Sequence, residues 1–410
     1  MRRQWPRRST IGCNDLTPTV GITATPVYDP ETDALYFTDK TPDPDDQHPG
    51  WYMHAVDPAT GAEKPGFPVK IEGSPTNDPT NRFNAEYQMQ RPGLLLLNGV
   101  VYAGFGDHCA LNPPAGQGYR GYIVGVDTKS ASISTLWTSS MESPDNPKIG
   151  AGIWVSGGGL MSDGDGTIIV TTGNGDPPAV APGNLPSATL GDSVVRLRVN
   201  PDKSLTAVDF FSPANAQVLG TGDVDLGSGS PTGLPDGFFG SGSTVQRTLV
   251  QQGKDGRLFL LDRDRLGGRT TDDSGTLQVL NLQTRQWGRE AVYGGEGGYV
   301  YDIGLNGPLR ALKAGVDGTG KPQLTQVGTS SNTFGYYAVS PVVTSNGTTP
   351  GSAVVWAIDP SAQAGGAGPA QLTAYDAVPD ASGNLQKLFS APVGNATKFV
   401  TPVSDDNART

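Results

Sequence analysis

Two aspartates stand two residues apart in GDVDLGSGSP (222–231), and they are the first residues here that could hold a cation. Asp223 and Asp225, with backbone carbonyls beside them, offer the hard oxygen ligands that calcium favours. The chain has three histidines. His108 ends the run GFGDHCA before a Pro/Gly-rich loop, so an imidazole titrating near neutrality could act there as a general base. His54, inside YMHAVD, reads as structural, and His48, in DDQHPGW, as a loop residue. Lys40, Arg91 and Lys254 could hold a carboxylate or sulfate, Arg91 in a bidentate fashion. Trp154 and Tyr299 provide flat apolar faces for a sugar ring or a planar cofactor. Taken singly, each Lys or Arg is a solvated loop charge and each aromatic an ordinary packing residue. Only a fold that gathers them would make a site.

The elements that would gather them are short strands. Gly (57) and Pro (34) exceed a fifth of the 410 residues, and such residues are penalised in helices and supply turns. Compact runs such as GLLLLNGVVYAGFG and TIIVTT recur between the turns, so the chain should fold. A Thr-Pro-Val or related element, a tight turn and a second strand appear in ATPVYDPETDALYFTDK (24–40) and QRPGLLLLNGVVYAGFGDH (90–108). They return in SGGGLMSDGDGTIIVTTGNG (156–175), SGSTVQRTLVQQGKDG (241–256), VSPVVTSNGTTPGSAVVWAID (339–359) and VTPVSDDNART (400–410). Pro26 to Pro92 is 66 residues and Pro341 to Pro402 is 61, which suggests a unit of constant size. A second hairpin follows each first one, as in YMHAVDPATGAEKPGFPVKI (52–71) and SVVRLRVNPDKSLTAVDFF (193–211). Paired hairpins in series, each pair a four-stranded antiparallel sheet, predict an all-β fold, a β-propeller. SDGDG at 162–166 is then a hairpin turn. No helix follows the glycines as a phosphate loop requires, and the EF-hand spacing and terminal Glu are missing.

Charge and hydropathy exclude other classes. The formal net charge is −11, and the only basic cluster lies in the first eight residues, so no nucleic-acid partner is expected. No run of eighteen apolar residues occurs, so no membrane span is expected. Residues 1–12 read as a basic, poorly ordered segment without the apolar stretch of a secretion signal, and 13–410 as the propeller. The polar, Thr/Ser/Asn-rich strands with two cysteines still fit an extracellular or periplasmic protein.

The Asp-x-x-Thr-Gly repeat in MHAVDPATG resembles that of pyrroloquinoline-quinone (PQQ) propellers, as do GITATPVYDP, GIWVSGGG, TTGNG, DLGSGSP and GKDGRLFLLDRDRLGG. The resemblance covers about residues 13–410 and implies a PQQ-like propeller. Asn174 in TTGNGDPP resembles the segment whose Asn ligates calcium in quinoprotein alcohol dehydrogenases. Their adjacent Cys-Cys pair, catalytic Asp segment and haem-attachment motif have no match here, so PQQ is not expected. Calcium remains the one metal the residues could take.

In a propeller, the start of each inner strand shares a rim with the turn between second and third strands. That rule places Lys40, His108, Asn174 and Lys254 at such turns, and Arg91, Trp154 and Tyr299 at or near inner-strand starts. All would meet at one funnel mouth, walled by the inserts 111–120 and 176–191. Cys13 and Cys109 fall on the same rim, as a bridge or as two free thiols. Six fairly full blades and the beginning of a seventh at 400–410 are counted. About seven blades, the last incomplete, would close poorly and expose sheet edges, leaving a monomer or an edge-mediated dimer. The expected role is binding a small polar or acidic molecule, a glycan or a carboxylate, at the funnel. The alternatives are a uronate lyase using His108 with Arg91 and Lys254, and a PQQ- and calcium-dependent dehydrogenase.

Overall fold

The computed structural model describes residues 5–6, 16, 19–42, 48–108, 119–141, 150–164, 166–335, 340–360, 369–395, 399 and 401–404. Among them the chain is all-β, with one four-residue α-helix, Ala216–Leu219, and two short 3-10 turns. No helix among the described residues is long and apolar enough to cross a membrane.

Six antiparallel sheets follow one another along the described chain, each built from strands in sequence order. The first joins Val27–Asp29, Ala34–Pro42, Pro49–Val56 and Val69–Lys70. In the second, Gln88–Gln90 and Leu95–Leu97 both pair with Val100–Asp107, followed by Tyr122–Asp127 and Ser132–Thr138. The third runs Met161–Ser162, Thr167–Thr171, Val194–Val199 and Leu205–Phe211. The fourth contains Thr232–Gly233, Thr248–Gln252, Arg257–Asp262 and Gln278–Asn281. The fifth contains Ala291–Tyr293, Tyr299–Ile303, Pro308–Val316 and Pro322–Thr333. The sixth contains Val342–Thr344, Val354–Asp359, Gln371–Asp376 and Lys387–Pro392. A separate two-stranded ladder pairs Trp5–Pro6 with Thr19–Val20.

These sheets fall into two compact units. The first holds sheets one to three; the second holds sheets four to six together with Ser156–Gly158. In the first unit, strand alternation sends Tyr36, Trp51 and Met53 of sheet one against Val101, Ala103 and Phe105 of sheet two. The other face of sheet two, with Val100, Tyr102 and Ile123, packs on Ile168, Val170 and Val195 of sheet three. Val100–Asp107 is therefore buried along both faces, which explains its continuous apolar run. In the second unit Val250, Leu258 and Leu260 pack on Val300 and Leu312, and Tyr301 and Ile303 pack on Val355 and Ala357.

The recurring Asp is a turn device. Asp57 Oδ1 accepts hydrogen bonds from the Ala59 and Thr60 amides and the Thr60 hydroxyl, closing the loop between the third and fourth strands of sheet one. Asp127, Asp202, Asp317 and Asp380 do the same in sheets two, three, five and six. The carboxylate replaces a backbone acceptor and presets the turn, so the motif marks the fold and not a ligand.

Two expectations need correction. Six sheets of four or more strands are present among the described residues, where about seven blades were expected. Thr401–Ser404 form no strand, and Thr401 Oγ1 instead donates to Gly157 O at 3.3 Å. A Thr-Pro-Val segment with no partner strand has no ladder to join. The inner strand of sheet four is Thr232–Gly233, not the 241–256 stretch, whose Thr248–Gln252 is the second strand. That two-residue strand follows the glycine- and serine-rich DLGSGSP and carries no β-branched run to reveal it.

Candidate functional site

In the first unit Lys40 meets His108, and Arg91 meets Trp154, whose ring lies against Gly173 beside Asn174. Lys40 is near the end of Ala34–Pro42 and is 1% exposed. Its ammonium donates to Glu86 O at 2.8 Å, to Gln88 O at 3.2 Å and to His108 Nε2 at 3.0 Å, and it lies 5.7 Å from the Trp51 ring centroid. All three donors are used. Burial lowers the Lys40 pKa to about 7, although the Glu86 and Asp107 carboxylates oppose the shift.

His108 follows Val100–Asp107 and is 2% exposed. Burial, then the charges of Lys40 and Arg91, push its pKa down to about 2. It is thus a neutral acceptor for Lys40 near pH 7, and its burial corrects the exposed rim position expected from the sequence. A histidine ending a strand looked exposed, but the end of that strand is packed beneath its neighbours.

Arg91 places its guanidinium 5.0 Å from the Trp154 ring, a cation–π contact. Both side chains are only partly buried. The indole is seated among glycines. A Cβ on Gly106, Gly152 or Gly173 would stand 2.8, 2.8 or 2.9 Å from it. None of the three needs a left-handed backbone, so glycine is required there by the close approach of the ring.

Gly173 leads directly to Asn174, whose Nδ2 donates to Asp223 Oδ1 at 3.0 Å. Its backbone carbonyl accepts from Ala151 N at 2.6 Å and from the Tyr119 hydroxyl. Because Nδ2 is committed to Asp223, Oδ1 is the other end of the amide, and it is buried without a hydrogen-bond partner. Asp225 is 3% exposed, with Oδ2 3.0 Å from where a Gly173 Cβ would stand. Burial, followed by Asp225, Asp192, Asp107 and Asp223, raises the Tyr119 phenol well above its ordinary value. This part of the site is therefore acidic, unlike the basic mouth expected.

Asp223 and Asp225 differ in environment, one exposed on Asn174 and the other buried. No group of three His, Cys, Asp or Glu suited to a metal occurs among the described residues. Asn174 Oδ1, buried without a hydrogen-bond partner, is the kind of hard oxygen that calcium takes, while Asp223 already accepts from the same amide. Cys13 and Cys109, and with them the bridge, lie outside the described residues, as do 111–118.

In the second unit Lys254 follows Thr248–Gln252 at the turn, its Nζ 5.8 Å from the Trp287 ring centroid. Tyr299 is displaced from the position expected. It opens the second strand of sheet five and pairs with Tyr293, the last residue of the inner strand, so it stands at the far end of the sheet from the inner-strand start. It is 3% exposed and receives Lys313 Nζ on its hydroxyl at 3.1 Å. The glycines before it, in YGGEGGYV, form the turn after the inner strand. His54 is structural as read: it lies 2.9 Å from Glu63 and 3.2 Å from Asp39 and stacks on Phe37. Burial would lower its pKa, but the two carboxylates raise it overall.

The sequence did not single out Tyr119, Asp192 or the glycines under Trp154. Only GFG, GIW and TGN, with a glycine next to or two before a site residue, hinted at them.

No protein-family model matches the chain, and no curated protein matches it in sequence. Solved structures do. A quinohemoprotein alcohol dehydrogenase, ADHIIG from Pseudomonas putida HK5, aligns with a TM-score of 0.53 at 12% identity, over 96% of this chain and 61% of that one. Sqt1 of Saccharomyces cerevisiae aligns at 0.47 with 10% identity, over 97% of this chain and 80% of that one. A protein from Lactobacillus plantarum aligns at 0.45 with 13% identity, over 96% and 95%. The first of these is close enough to show a shared fold. The chain resembles PQQ-type β-propellers, and its serial four-stranded sheets fit such blades. It spans less than two thirds of that dehydrogenase, and the likeness shows the fold alone.

Proposed function

We propose that this chain is a propeller protein of an extracellular or periplasmic space that binds a small hydroxyl-rich molecule, a monosaccharide or polyol, at the Arg91–Trp154–Asn174–Asp223 patch. One observation carries the reading: a partly exposed indole, held on glycines and with a guanidinium over its ring, adjoins an amide–carboxylate pair. Sugars present an apolar C–H face to aromatic rings and vicinal hydroxyls to planar amides, carboxylates and guanidinium groups. The carboxylates around Tyr119 favour a neutral ligand over the carboxylate or uronate first considered. His108, buried and bonded to Lys40, offers a lyase no exposed base at this patch.

Calorimetric titration with a panel of neutral sugars and polyols tests this. Binding should be saturable, at least tenfold weaker in Trp154→Ala and Asn174→Ala, and unchanged in Lys254→Ala. A panel without binders, or equal affinity in Trp154→Ala, overturns it.

The unpartnered Asn174 Oδ1 favours a second reading, a calcium-containing redox protein. Asn174, Asp223 and Asp225 would hold the ion, which would act as a Lewis acid on a bound group. The quinone fits less well, because the chain's two cysteines are not adjacent and cannot form the pair that covers it in the dehydrogenases. Dye reduction that requires both PQQ and calcium would support this reading, and its absence with both supplied would remove it.

A further inference from the structure

The second unit contains a buried polar network that neither the binding patch nor the fold accounts for. Gln252 and Gln286 are 0% exposed and Glu290 is 2% exposed. Gln252 Nε2 donates to Thr284 O at 2.9 Å, and Gln286 Nε2 donates to Asp302 Oδ1 at 3.1 Å. Those bonds fix which end of each amide is oxygen. Glu290 Oε2 accepts from Thr232 Oγ1 at 2.9 Å. The remaining atoms, Gln252 Oε1, Gln286 Oε1 and Glu290 Oε1, are all buried acceptors without a donor.

Gln252 and Gln286 belong to one connected cluster, and Glu290 adjoins it at Asp302, because Ala291, the next residue, pairs with Tyr301 beside Asp302. Gln286 N donates to Gly253 O at 3.1 Å, next to Gln252. Arg310 Nη1 bridges Thr284 Oγ1 at 3.0 Å and Asp302 Oδ2 at 2.9 Å. Arg310 thereby neutralises Asp302, while Glu290 makes no ion pair among the described residues. Burial and the nearby Asp302 push the Glu290 pKa up to about 8, the mark of a carboxylate whose charge is not compensated by the protein.

Leaving a buried acceptor unsatisfied costs its full desolvation, so three together call for a common partner. A proton on Glu290 Oε1 satisfies that atom and at most one neighbour. A cation satisfies all three, and hard oxygen ligands with one surplus negative charge suit a monovalent ion. We propose that Gln252, Gln286 and Glu290 hold a monovalent alkali cation, sodium or potassium, that ties sheet four to sheet five.

The test compares thermal unfolding in sodium, potassium, calcium and choline chlorides at equal ionic strength. Sodium or potassium should raise the midpoint by about 2 °C over choline, for an ion present at roughly tenfold its dissociation constant. Glu290→Gln should abolish the difference between salts. Equal midpoints in all four salts, or a rise with calcium alone, overturns the proposal. If Glu290→Gln does not fold, rubidium-soaked crystals of the unaltered protein decide. An anomalous peak should lie between the three oxygens, and a crystal without one overturns the assignment.

Discussion

The Lys40 ammonium donates to His108 Nε2 across 3.0 Å, and neither residue is more than 2% exposed. The pair links the second strand of sheet one to the end of Val100–Asp107 in sheet two, below the Arg91–Trp154 contact. Both groups are bases with lowered folded-state pKa values, so in each case the unfolded chain binds the proton more tightly.

Stability should accordingly rise with pH in two windows. His108 contributes a rise from about 2, its folded value, to 6.5, its ordinary one. Lys40 contributes a rise from about 7 to 10.5. Each slope approaches ~1.4 kcal/mol per pH unit for one fully buried group. Urea unfolding across the alkaline window should show the slope flattened in Lys40→Met and kept in His108→Asn. A slope equal in Lys40→Met and the parent would refute the assignment.

Gly173→Ala should destabilise the protein by about 1–3 kcal/mol, because its Cβ would meet both the Trp154 ring and the Asp225 carboxylate. Gly242, with nothing within 4 Å of an added Cβ, is the control, and Gly242→Ala should change stability by less than about 0.5 kcal/mol. Denaturant midpoints of the two variants measure the difference, and equal midpoints would show that the indole is not held by close packing.

Breaking the Arg120–Asp78 pair should be costly. Its Nη1 and Oδ2 are 2.9 Å apart with side chains 1% and 7% exposed. Arg120→Leu takes the guanidinium away from a buried carboxylate, and a loss of about 3–5 kcal/mol is expected in chemical denaturation. A loss below about 1 kcal/mol would mean that water reaches Asp78.

Asp127 is held down to about 2 by hydrogen bonds from Lys203 and from the turn at Ser130 and Lys129, which outweigh the opposing effect of burial. A depressed carboxylate stabilises the fold above its unfolded value of 3.8 and loses that contribution as the pH falls through about 2. Acid unfolding followed by circular dichroism should therefore show a shallower pH dependence between those values in Asp127→Asn. An unchanged slope would place the acid sensitivity elsewhere.

The repeat itself was legible because each blade repeats a local chemistry. Asp57, Asp127, Asp202, Asp317 and Asp380 close turns using atoms a few residues away. Asn98-Gly99, both with positive φ, close the Leu95–Leu97 hairpin in the same local way. Strand alternation and turn residues act over short stretches of chain, so they survive in one dimension. The rule that inner-strand starts share a rim with second-strand ends pointed to Lys40, His108, Asn174, Lys254, Arg91, Trp154 and Tyr299, of which Tyr299 stands at the other end of its sheet.

What the order of residues could not decide was the environment of those side chains. His108 is neutral and Lys40 has a lowered pKa because sheets one and two exclude water from both. Tyr299 stands at the wrong end of its sheet because a run of glycines reads alike as a turn before or after an inner strand. The carboxylates around Tyr119 come from three stretches, at 107, 192 and 223–225, and Gln252 lies more than thirty residues before Gln286 and Glu290. Burial, charge proximity and hydrogen-bond satisfaction are sums over neighbours in space, and only the packing of sheet on sheet determines who those neighbours are.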